Sequence, residues 1–83
     1  MIIRYFAWVR ERTGVEQEEI SLPETVTTVG GLISWLQTID DAHGHAFAEP
    51  DMIRAAIDQT HAEHDALIAG AREIAFFPPM TGG

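Results

Sequence analysis

The 83-residue chain has no cysteine, which excludes disulfides, thiolate metal sites and a thiol nucleophile. It has no lysine either. Its five basic residues are all arginines, so the α-amino group is the one primary amine that could meet an activated carboxylate. No run approaches the roughly eighteen apolar residues of a membrane span. Met1-Ile2-Ile3-Arg4 passes straight into a patterned strand, without the long apolar region of a signal peptide. A cytoplasmic location and no membrane partner are therefore expected. Thirteen acidic residues against five arginines give a formal charge of -8. Nucleic acid is an unsuitable partner for such a chain, because backbone binding needs positive charge. A partner with a basic docking surface suits it better, although the same charge also serves solubility.

The apolar fraction is 46%, ordinary for a globular chain, and the length allows one domain with a modest core. Ile2 to Val9 reads as a strand from its β-branched and aromatic residues, and Arg10 to Gly14 as a hairpin connection. Glu16 to Leu22 reads as a second strand, closed by Pro23, with Ile20 and Leu22 inward. Thr28 is a plausible N-cap for a helix over 29–40, with Val29, Leu32, Ile33, Leu36 and Ile39 as its apolar stripe. Gly30 and Gly31, near the helix start, suggest close approach to the sheet. Trp35 lies off the stripe, where it can cover a flank or face solvent, and reads as a structural aromatic before a recognition one. Asp40 to Pro50 is the least regular segment. Ile53 to Ile57 reads as a third strand, Thr60 to His64 as a weak edge strand, and Leu67-Ile68 as a turn. Glu73 to Phe77 closes the chain, with Ile74 and Phe76 on one face and Ala75 and Phe77 on the other. These elements describe an α+β fold, a mixed sheet of about five strands with one main helix across it. Residues 1–77 form the domain and residues 78–83 an extended tail.

The tail carries the chemical signal. Pro78 and Pro79 stiffen the chain and remove two backbone donors, and Thr81, Gly82 and Gly83 then thin it to bare backbone. From Pro78 an extended chain reaches roughly 20 Å, enough to enter a narrow channel in another protein. Glycine-ended termini are also commonly frayed, so composition alone leaves a presented tail and an idle one both open. The order of rings, proline pair and glycines favours presentation, with the carboxylate of Gly83 as the reacting group. Phe76, Phe77 and Met80 are candidate docking anchors, since apolar and aromatic side chains dominate interface hot spots, while one of the two rings is expected to be core. The four histidines, His43, His45, His61 and His64, show no strong ligand spacing and read as neutral surface residues, so no metal is expected.

The closing F-F-P-P-M-T-G-G, together with V-R-E-R-T-G at 9–14 and A-A-I-D-Q-T at 55–60, resembles the small subunits of molybdopterin synthase. That family consists of ubiquitin-like sulfur carriers with a β-grasp fold. The resemblance covers nearly the whole chain. Met80 stands where valine is frequent, Asp58 where asparagine is common, and Gly70-Ala71-Arg72-Glu73 where the family has Asp-Gly-Asp-Glu. Arg72 thus puts positive charge where the family tends to be negative, and His61 occupies a usually apolar position near the partner interface. The resemblance implies that a partner enzyme uses ATP to adenylate Gly83, which then becomes a thiocarboxylate. That sulfur passes to cyclic pyranopterin monophosphate to build the molybdopterin dithiolene. It further implies that Pro78, Pro79, Thr81 and Gly82 thread the tail, that Arg10 and His61 join the docking surface, and that no cofactor is stably bound. The partners would be an activating enzyme and a large subunit that supplies the catalytic residues, in an assembly of two small and two large subunits. A carrier for thiamine or cysteine synthesis, or a ubiquitin-like protein modifier, is the alternative.

Overall fold

The computed structural model describes residues 1–79. Five strands form one mixed sheet: β1 (Ile2–Tyr5), β2 (Gln17–Glu19), β3 (Arg54–Ile57), β4 (Thr60–Ala62) and β5 (Glu73–Phe77), in the spatial order β2-β1-β5-β3-β4. The chain's last strand lies at the centre. β5 runs parallel to β1 and antiparallel to β3, and the two outer pairs are antiparallel, β3–β4 as a hairpin and β1–β2 across an intervening helix. Three helices cross one face: α1 (Ala7–Thr13), α2 (Val29–Leu36) and α3 (Asp41–Ala46), with a 3₁₀ turn at Pro50–Met52.

The core is the inward half of each strand's alternation set against the helix stripes. Ile3 and Tyr5 of β1, Ala55 of β3, and Ile74 and Phe76 of β5 are buried against Val29, Leu32, Ile33 and Leu36 of α2 and Val9 of α1. Phe47 fills the centre, edge-on to Phe76 at 5.2 Å between ring centroids and to Tyr5 at 6.1 Å.

α2 starts where expected. The Thr28 hydroxyl accepts the Gly31 N–H at 3.0 Å, a standard cap. Gly30 brings the helix start onto the loop after β4: its N–H donates to the His64 carbonyl at 2.8 Å, and a Cβ there would lie only 3.2 Å from that oxygen. The close approach is thus to a loop backbone rather than to the sheet. Four of the five stripe residues are buried. Ile39 is 40% exposed because the helix ends at Leu36, where the Gln37 side chain turns to donate to the Phe47 carbonyl. Trp35 is half-buried and packs on the margin of the core, as its off-stripe position suggests.

Two segments take a different element type from the sequence reading. The first strand stops at Tyr5, and Ala7–Thr13 is a helix instead of a strand end and a hairpin loop. Phe6 is extended, Ala7 takes φ 53°, and the chain coils so that Val9 and Thr13, one turn apart, both become buried. Gly14, at φ 83°, ends the helix with its N–H on the Arg10 carbonyl at 2.9 Å. Two shorter helices, α1 and α3, therefore join the expected main helix α2 on the sheet. The irregular stretch 40–50 contains the other unexpected helix, α3, capped by Asp40, whose Oδ1 accepts the His43 N–H at 2.8 Å. β2 is also shorter than expected. Ile20 and Leu22 lie beyond its three paired residues, yet both pack against the core as their alternation implies.

The β3–β4 turn is a two-residue left-handed one, with Asp58 at φ 47° and Gln59 at φ 72°. Asp58 Oδ1 accepts the N–H groups of Arg72 and Glu73, each at 2.9 Å, and so ties this turn to the start of β5.

Candidate functional site

With helices on one side, no element among the described residues covers the sheet's other face. Strand register assembles it row by row. Gln17, Arg4, Ala75, Ala56 and His61 lie opposite one another across all five strands, with Ile2, Glu19 and Glu73 in the next row and Phe77 beside Arg54 in another. Its centre is low because Ala75 and Ala56 are small. Its rim is charged and aromatic: Arg4 Nη1 lies 3.6 Å from Glu73 Oε2, and the same guanidinium sits 5.4 Å from the Phe6 ring centroid.

The tail leaves from this sheet's central strand. β5 is paired on both sides, to β1 up to Phe76 and to β3 up to Phe77, and the next residues are Pro78 and Pro79, which have no N–H to continue a ladder. The Phe6 N–H donates to the Phe76 carbonyl at 3.0 Å, so α1 begins beside the point where the strand ends. Stiff backbone thus reaches the last residue before the proline pair.

The two rings divide. Phe76 has no exposed surface, so it is a core residue and not a docking anchor, a correction required by its place on the helix-covered face. Phe77 is half-buried on the open face, with half-buried Pro78 and Pro79 after it. His61 is exposed on edge strand β4, at the far end of the central row from Gln17. Arg10 is exposed on α1, beside the strand end but off the sheet face. Met80, Thr81, Gly82 and Gly83 lie outside the described residues. Sequence reading put Ala75 with Phe77 on the outer face of β5 but missed Arg4, Arg54 and Ala56. The alternation of β1 and β3 was the signal that could have placed these opposite the core residues.

One histidine is not a surface residue. His43 is 5% exposed, and each ring nitrogen faces a carboxylate: Nδ1–H donates to Asp40 Oδ1 at 2.7 Å and Nε2–H to Glu18 Oε2 at 2.6 Å. Two acceptors require two ring protons, hence an imidazolium. Burial alone pushes the His43 pKa down, but the hydrogen bonds and charges of Glu18 and Asp40 outweigh it and raise the value above the ordinary 6.5. The Tyr5 hydroxyl donates to the same Glu18 oxygen at 2.7 Å and, raised by burial and by Glu18, stays protonated. The cluster joins β1, β2 and α3.

Its stability contribution is full below the unfolded histidine value and fades as pH rises through the raised folded value. Asp40, held low by the backbone and side-chain hydrogen bonds from His43, adds stability above its unfolded value that is lost on acidification through the lowered one. Denaturant midpoints measured from pH 5 to 9 are expected to fall on the alkaline side for the parent chain and to flatten for His43→Gln. Parallel curves for the two proteins contradict this account.

Among the described residues no group of three or more His, Cys, Asp or Glu side chains is placed to hold a metal ion, and no helix is long and apolar enough to cross a membrane.

Comparison with known proteins agrees with this architecture. Residues 3–83 match the model of the ThiS family. The molybdopterin synthase sulfur carrier subunit of Escherichia coli is 32% identical over 81 residues, covering 98% of this chain and 96% of that one. The corresponding subunit of Mycosarcoma maydis is 35% identical over 85 residues, covering 98% and 90%. Among solved structures, a putative molybdopterin converting factor subunit 1 from Pyrococcus furiosus superposes with a TM-score of 0.72 at 28% identity, over 95% of each chain. SAMP1 from Haloferax volcanii gives a TM-score of 0.72 at 25% identity, over 100% of this chain and 98% of that one. A β-grasp sheet whose central strand runs into Pro-Pro and a diglycine, with these relatives along nearly its whole length, belongs to the ThiS family of ubiquitin-like sulfur carriers, on the side that serves molybdopterin formation.

Proposed function

We propose that Gly83 is the chain's working residue and that its carboxylate carries sulfur to the molybdopterin dithiolene. A carboxylate is ionised at neutral pH and a poor electrophile, so it must first be activated. An ATP-dependent partner enzyme joins it to AMP with release of pyrophosphate. The outer sulfur of a persulfide donor then displaces AMP to form an acyl disulfide, and a second thiol on the sulfur-transfer partner cleaves its S–S bond, leaving a C-terminal thiocarboxylate on this chain and a disulfide on the donor. In a second complex, with the large synthase subunit, that sulfur attacks cyclic pyranopterin monophosphate. Hydrolysis of the acyl–sulfur bond regenerates the Gly83 carboxylate, and two rounds supply both dithiolene sulfurs.

The carrier provides the nucleophile, and the acid and base groups come from the large subunit. Pro78 and Pro79 lower the freedom lost on threading, a preorganisation effect of about 1 kcal/mol. Phe77 and His61, on the open sheet face, and Arg10, beside the strand end, contact the partners. The observation that carries this reading is the pairing of β5 with β1 up to Phe76 and with β3 up to Phe77, immediately before the proline pair. The chain thus enters the proline pair from a paired central strand.

Reconstitution with ATP, an activating enzyme, a sulfur source, the large subunit and the pyranopterin precursor is expected to yield dithiolene product. No product with any synthase partner, but sulfur transfer to thiamine or cysteine precursors, would move the chain to another sulfur pathway. Higher-mass adducts on other proteins that vanish when Gly82 and Gly83 are deleted would make it a protein modifier.

A further inference from the structure

We infer that the end of the open sheet face remote from the tail holds a receptor cleft for one acidic side chain of the large synthase subunit, with Arg72 as its main contact; this rests on the carrier reading above. An open cleft of about 670 Å³ lies there, bounded by Ile2 and Arg4 of β1, Gln17 of β2, the Asp58-Gln59 turn, Arg72 and Glu73. Two of the chain's five arginines line it, in a protein of net charge -8.

Its two acids are already engaged. Asp58 Oδ1 takes the N–H groups of Arg72 and Glu73, and Glu73 lies against Arg4 at 3.6 Å. Arg72 is exposed, and among the described residues its guanidinium forms no ion pair. Arg4 meets Glu73 through Nη1, and its side chain is 36% exposed, so its guanidinium keeps donor capacity toward the cleft. With the Gln17 and Gln59 amides alongside, the cleft is rich in donors and suits a carboxylate, which Arg72 can grip with its planar fork.

Position gives the cleft a use. From Glu73 to Phe77 is four residue steps along β5, about 13 Å. Contact at Phe77 alone leaves a partner free to pivot about the tail exit, and a second contact at the other end of the same strand fixes its angle. An exposed arginine on an acidic surface also sets a local repulsion against partners that are uniformly basic, since like charges placed together cost binding.

The test is calorimetric titration of the full-length parent, Arg72→Glu, Arg72→Lys and Arg12→Glu chains into the purified large subunit, at low and moderate salt. Arg12 stacks on Trp8, 4.3 Å from its ring centroid, and lies on α1, away from the cleft, so it controls for net charge. Arg72→Glu is expected to weaken binding by about tenfold or more, Arg72→Lys by less, and Arg12→Glu by no more than about threefold. Restoration of Arg72→Glu binding by an acid-to-arginine change in the large subunit then identifies the occupant. Unchanged affinity for Arg72→Glu, or equal losses for Arg72→Glu and Arg12→Glu, overturns the cleft while leaving the carrier reading intact. Failure of the parent chain to bind the large subunit overturns both.

Discussion

Phe76→Ala is expected to cost about 3–5 kcal/mol of stability, the range for removing a fully buried aromatic ring. Small domains hold only about 5–15 kcal/mol in all, so the variant should melt roughly 15 °C or more below the parent and be partly unfolded when warm. The cost is high because of where the ring sits. It is on the central strand, beside Tyr5 and Ala55 in register and edge-on to Phe47, so truncation opens a cavity at the meeting point of β1, β3, β5 and the residue after α3. Phe77→Ala, one residue later and on the opposite face, should cost only about 1 kcal/mol. Its effect should appear in binding instead, as a loss of about tenfold or more in affinity for the large subunit. Thermal melts and binding titrations of both variants separate the roles, and a larger stability loss at Phe77 than at Phe76 contradicts the assignment.

Deleting Gly82 and Gly83 is expected to abolish sulfur loading and dithiolene synthesis while changing stability by no more than about 0.5 kcal/mol. Among the described residues the last buried one is Phe76, and the two deleted glycines carry no side chain to pack. The chemistry has every stake in them: the truncated chain would offer Thr81 as its acyl group, with a β-branched side chain at the place where bare backbone is needed. Gly82→Ala is the milder version, expected to impair sulfur transfer without loss of stability. Full product formation by either variant rejects the threading argument.

Much of this was readable from residue order, for reasons that can be named. β5 was legible because its alternation is clean and Pro78 stops it. α2 was legible because Thr28 caps a stripe of helical period. α1 was hidden by its own residue types: Phe6, Trp8 and Val9 favour a strand, and tertiary packing of Val9 and Thr13 overrides that preference. The signal that outranked propensity was Gly14 just past Arg10 and Arg12, a C-terminal glycine with basic residues in the last turn.

α3 announced itself more faintly, through Asp40 as a cap and Asp41 in the first turn, in a segment whose glycine and two histidines suggested a loop. His43 could not have been placed. Its partner Glu18 is 25 residues away, and only the fold brings β2 alongside α3. The open face was half legible: the outward set of β5 was clear from alternation, but its registration with Arg4, Ala56 and His61 depends on which strands are neighbours.

The most direct measurement is the intact mass of the full-length chain after incubation with ATP, the activating enzyme and a sulfur source. The account predicts a gain of about 16 Da confined to Gly83, one oxygen exchanged for sulfur by way of terminal acyl activation. An unchanged mass, in a reaction where a known carrier is loaded alongside, would contradict it.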